Sequence, residues 1–211
     1  MDILQIPECD YNKPMNRKNM KRRDNMKQEK TAEVNGNLER TLNKETVINI
    51  TISSIAIALV YVFTAFVNIT LPFAPNGGLV HLGNVPLFIF AILFGKKTGM
   101  AAGGIGMALF DLLSPWAIWA PFTLIIAGTM GFVVGMITKK KNGFGWCVIA
   151  MLLALTIKIV GYYFAEVIIY GNWIVPFTSI PGNMIQVGVA AIIVLIIIEP
   201  LKKATRILML N

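Results

Sequence analysis

Lys158, Tyr162 and Glu166 follow one another at intervals of four in an otherwise apolar run, "FGWCVIAMLLALTIKIVGYYFAEVII". On a helix that spacing sets an ammonium, a phenol and a carboxylate in one stripe, with Lys158 roughly 12 Å below Glu166 at about 1.5 Å per residue. Asp111 stands near the end of a second apolar run. The only histidine, His81, opens a third beside Asn84 and Pro86 in "GGLVHLGNVPLFIF". Ionisable groups inside an apolar span are costly and face a cavity or a partner. Two readings follow. In one, Lys158 pairs with Asp111 or Glu166 and staples helices. In the other, the same residues shape a polar pocket open to one side, and the clustering of Asn172, Asn183, Gln186, Trp116, Trp119 and Trp173 at the same ends of the runs favours it. Aromatics above such a pocket suit a planar heterocycle by stacking, although each tryptophan also fits an interfacial belt. His81 fits either a ligand contact or a cap on backbone amides.

Catalysis finds no support. A rhomboid-type protease needs a GxSG-like serine with a histidine on a later span, and a zinc protease needs HExxH, neither of which is present. No histidine or cysteine cluster has metal-ligand spacing, and Cys9 and Cys147 suggest no pair. "GGIG" lacks the third glycine of a dinucleotide fingerprint, and "FGKKTG" lacks the first glycine of a Walker A loop. Neither a cofactor nor a nucleic-acid partner is expected.

The elements that must position these residues follow from composition. The chain is 55% hydrophobic and 14% charged, against about 25% charged in a soluble domain. Residues 1–45 hold ten Lys/Arg and eight Asp/Glu, whereas the remaining 166 residues hold nine and three. Residues 1–46 are therefore expected to be a polar, disordered cytoplasmic tail, with a lipid-headgroup contact through Lys21, Arg22 and Arg23 as the minority alternative. No apolar core follows the basic cluster, so the tail does not read as a signal peptide. Residues 47–211 are expected to form an all-α integral membrane domain of six transmembrane helices. Their apolar runs begin near residues 47, 79, 98, 120, 144 and 180. With six spans, the basic tail, Lys96/Lys97, Lys139–Lys141 and Lys202/Lys203/Arg206 all fall on one side. The three opposite connections hold no Lys or Arg, which puts both termini in the cytoplasm. Gly99/Gly103 and Gly131/Gly135 have the spacing that lets helix backbones approach, and internal packing is the expected role.

The block "GGLVHLGNVPLFIFAILFGKKTGMAAGGIGMALFDLLSPWAIWAPFTLIIAGTMGFVVG", with "YYFAEVIIYGNW" and "IPGNMIQ", resembles the S components of energy-coupling-factor (ECF) transporters, and looks closest to their riboflavin-type branch. The resemblance covers about residues 47–205. It implies a multi-pass subunit of a prokaryotic plasma membrane that captures a vitamin or vitamin precursor of riboflavin, B6 or pyrimidine type on the outer face. Such subunits topple to release the vitamin inside, and partner a transmembrane T subunit and two ATP-binding cassette ATPases. The family's AxxxA docking motif falls on "SIAIA", Ser54 to Ala58, with serine replacing the first alanine. By residue type, the resemblance assigns substrate contacts to Asn76, His81, Asn84, Asp111, Trp119, Lys158, Tyr162, Glu166 and Asn183. The alternative is a membrane scaffold or assembly subunit without a small ligand, its intramembrane charges structural.

Overall fold

A computed structural model describes residues 17–70, 79–141 and 143–210. Contacts divide the chain into two units, Met1–Ile48 and Asn49–Asn211. Helix α1 is Arg17–Phe66. Residues 17–46 were expected to lack structure and are helical instead. They are rich in Lys, Arg, Glu, Gln and Met, which lose little rotamer freedom in a helix, and the side chains described there are exposed.

In the second unit, α1 is followed by a short antiparallel pair, β1 (Asn68–Thr70) and β2 (Leu79–His81), with Asn68 opposite His81. Then come α2 (Asn84–Phe94), α3 (Lys96–Leu112), α4 (Ala120–Lys140), α5 (Phe144–Tyr170) and α6 (Ile180–Leu210), with short 3₁₀ turns at Ala117–Trp119 and Val175–Ser179. Gly95, at φ 90°, makes the break between α2 and α3, and Gly171, at φ 63°, ends α5 in the left-handed conformation.

Among the described residues, four stretches are long and apolar enough to cross a bilayer: Asn25–Phe66, Ala117–Lys140, Phe144–Tyr170 and Val175–Thr205. The other two helices are shorter than the expected spans, with α2 holding 11 residues and α3 holding 17, against about 20 for a full crossing. The reason for α2 is local: "LVH" ahead of it enters the strand pair rather than the helix. The surface of the bundle is apolar, with Ile125, Leu152, Ile192 and Ile196 all more than half exposed, as expected where lipid is the solvent.

The interior is held by a glycine seam between α3 and α4. A Cβ added at Gly131 would run into the Gly99 carbonyl, and one at Gly103 into the Ala127 carbonyl. At Gly135 it would come within 2.5 Å of the Gly95 and Lys96 backbone. The two glycine pairs therefore pack internally, as their spacing predicts. Phe88, Leu87, Met130, Val134, Val187 and Val194 fill the core around them.

Candidate functional site

The site is built where β2, the first turn of α2, the ends of α3 and α5 and the starts of α4 and α6 meet. Two backbone-directed bonds seat β2: Leu82 N–H donates to the Val67 carbonyl at 3.0 Å, and the buried Gln186 of α6 donates from Nε2 to the His81 carbonyl at 3.1 Å. The His81 ring turns back, its Nδ1 accepting the Gly83 N–H at 3.2 Å. An accepting ring nitrogen carries no proton, so the ring presents Nε2–H as a donor. Burial first, and the Lys158 charge second, hold the His81 pKa well below its ordinary 6.5, which keeps the ring neutral. His81 thus caps an amide, as one sequence reading had it, and retains a free donor. Next along the chain, Asn84 is completely buried, and neither Oδ1 nor Nδ2 has a hydrogen-bond partner.

Deeper lies Lys158, 2% exposed, its Nζ 5.5 Å from the centre of the Tyr162 ring. It interacts electrostatically with Asp111 and His81, yet among the described residues no carboxylate lies within salt-bridge distance of it. The contact ion pair of the staple reading is absent. Asp111 lies close to Thr123, whose hydroxyl is 3.0 Å from that of Tyr162. The Trp119 ring stands over this chain, 6.2 Å from Tyr162 and 6.1 Å from Tyr170 between centroids. The buried Glu166 accepts from Ser179 Oγ at 2.8 Å.

The structure therefore brings together His81, Asp111, Trp119, Lys158 and Tyr162, with Asn84 three residues from His81. Glu166 is directed to the 3₁₀ turn ahead of α6. Asn183 is half-buried, and no hydrogen bond joins it to the others. Asn76 lies outside the described residues. Thr123 and Ser179 were missed by sequence reasoning, because a hydroxyl in an apolar helix or turn has no periodic signature. Gln186 was grouped with the polar residues at this end but assigned no role. Ser54 and Ala58 are exposed on α1, the Ser54 hydroxyl bonded back to the Ile50 carbonyl at 2.9 Å.

Residues 44–203 match the family described as ECF-type riboflavin transporter, S component, and the chain belongs to that family. It is 26% identical over 169 residues, 80% of this chain and 96% of the other, to the thiamine precursor transporter HmpT of Lactococcus lactis subsp. cremoris. It is 34% identical over 103 residues to an uncharacterized protein of Pyrococcus woesei, covering 49% of this chain and 69% of that one. The solved structure of the S component of a bacterial ECF transporter shares its fold, with a TM-score of 0.59 at 20% identity over 77% of this chain and 97% of that chain. The chain is thus a membrane transporter S component of the vitamin or vitamin-precursor type, from a family of transporter subunits and not of enzymes.

Proposed function

We propose that the chain captures a vitamin or vitamin precursor from the outer side at the Asn84–Lys158 cluster, for ATP-driven uptake with a transmembrane T subunit and two ATP-binding cassette ATPases. The observation that carries this is the idle polarity of the cluster. Asn84 is sealed with both amide atoms unpartnered, and Lys158 is buried with no carboxylate at salt-bridge distance among the described residues. Such groups destabilise an interior unless they serve a ligand.

A six-span arrangement with both termini in the cytoplasm accompanies this reading. Basic side chains gather at the end opposite the cluster. Lys96 lies 5.3 Å from the Phe132 ring and Lys141 4.0 Å from the Trp146 ring, while Lys202 reaches Glu199 at 3.1 Å and Cys147 Sγ at 3.8 Å. That asymmetry supports the cluster facing outward. The two vitamins named by the family and by the Lactococcus relative, riboflavin and a thiamine precursor, are both nitrogen heterocycles, and the Trp119–Tyr162 pair provides aromatic faces for one.

Mass spectrometry of the supernatant from purified, denatured protein tests the reading. A heterocyclic vitamin or precursor released in near-stoichiometric amount is the expected result, and a chain that neither carries nor rebinds any such compound would overturn it. The exposed Ser54 and Ala58 mark the proposed docking face. Ser54→Leu should reduce uptake by the assembled transporter about 10-fold or more, because bulk there prevents backbone approach, while affinity of the isolated chain stays unchanged.

A further inference from the structure

We propose that the site reads a nitrogen heterocycle through a lactam or amidine edge, one hydrogen-bond donor beside one acceptor, and that Asn84 is the residue that reads it. This rests on the reading of the chain as a vitamin-capturing subunit and names the chemistry its ligand must carry.

Asn84 occupies the first turn of α2, completely buried, with Oδ1 and Nδ2 both unpartnered. One carboxamide plane holds these two atoms side by side, one accepting and one donating. A group that offers the reverse pair in one plane satisfies both at once. An exocyclic amine beside a ring nitrogen does so, and so does a ring N–H beside a carbonyl, as when asparagine reads adenine. A phosphate or carboxylate offers acceptors alone, and an ammonium offers donors alone. The conclusion holds whichever amide atom is oxygen, since exchanging them leaves the set unchanged.

The cluster that begins at His81, three residues before Asn84, suits the same ligand. Lys158 has an ammonium free to meet a further ring acceptor, neutral His81 keeps an Nε2–H donor, and Trp119 and Tyr162 provide flat apolar faces. The amide atoms are sealed, so a ligand reaches them as the junction of β2 and α2 shifts. That junction hangs on the two bonds from Leu82 to Val67 and from Gln186 to His81.

The test compares ligands in pairs on the full chain in detergent, read by tryptophan fluorescence. The pairs are 4-amino-5-hydroxymethyl-2-methylpyrimidine with its 4-methyl counterpart, and riboflavin with N3-methylriboflavin; pyridoxine, which has no such edge, is the control. The wild-type chain should bind one edge-bearing parent at least about 10-fold more tightly than its blocked counterpart. Asn84→Leu should bring the two within about 2-fold. The wild-type comparison requires no variant to fold. Equal affinity for parent and blocked counterpart, a preference that survives in Asn84→Leu, or binding of pyridoxine alone would overturn the inference while leaving vitamin capture standing. Binding of no vitamin at all would remove both.

Discussion

The α3–α4 seam and the cluster around Lys158 are both buried in the Asn49–Asn211 unit, and they treat contact in opposite ways. Along the seam, Gly99, Gly103, Gly131 and Gly135 leave no room for a single added carbon, because backbone lies against backbone. In the cluster region, Asn84 has no hydrogen-bond partner and Lys158 has no carboxylate at salt-bridge distance among the described residues, although both are buried. The seam uses all its contact capacity within the protein. The cluster keeps some of its capacity for another molecule. Substitutions should therefore act with opposite sign on stability in the two regions, which is the physical difference between a scaffold and a binding site.

The largest effect is expected in the seam. Gly131→Val forces the α3 and α4 backbones apart at the Gly99 carbonyl, and overpacking against backbone costs about 1–3 kcal/mol or more. Fluorescence-detected size-exclusion chromatography after heating should show loss of most folded protein. A variant as stable as wild type would break the contrast on the seam's side.

In the cluster, Lys158→Met removes a buried charge that has no salt bridge among the described residues and leaves an unbranched side chain one heavy atom shorter. Ligand affinity should fall more than about 10-fold while the ligand-free protein melts at the same or a higher temperature, since replacing an unsatisfied polar group by an apolar one relieves its desolvation. Equal loss of stability and binding would place Lys158 with the seam.

Gln186→Leu sharpens the comparison, because this side chain seats β2 without belonging to the ligand contacts argued above. Losing one neutral hydrogen bond of about 1 kcal/mol should weaken binding roughly 5-fold, mainly through faster release in stopped-flow measurements. A change confined to the association rate would show that the bond does not hold the bound state.

The smallest effect concerns His81. Its folded pKa lies below the unfolded value of 6.5, so the unfolded chain binds the extra proton first as pH falls. Stability is therefore retained above 6.5 and lost beneath it, by about 1 kcal/mol over the first pH unit. Thermal melts at about pH 7.5 and about pH 5.5 should show a larger drop for wild type than for His81→Gln.

What the sequence determined by itself is local or compositional. The apolar runs, the polar first 46 residues, the basic clusters at alternate connections and the glycine spacings are written within a few helical turns, where period and composition dictate the outcome. The stripe of Lys158, Tyr162 and Glu166 was legible in the same way, and so was the family, from the block between Gly77 and Gly135. Other features depend on what lies across the fold. The helical state of residues 17–46 went against a composition that argues for disorder, because strong helix formers need no core to take up helical dihedrals. "NIT" and "LVH" form a strand pair only because each finds the other across an eight-residue connection. Glu166 goes to Ser179 and Thr123 to Tyr162, partners that no spacing in the chain announces. The idle amide of Asn84 is the clearest case. A sequence shows that an asparagine can make hydrogen bonds, and only the packed structure shows that those bonds are not made, because satisfaction of a buried group is a property of its neighbours in space.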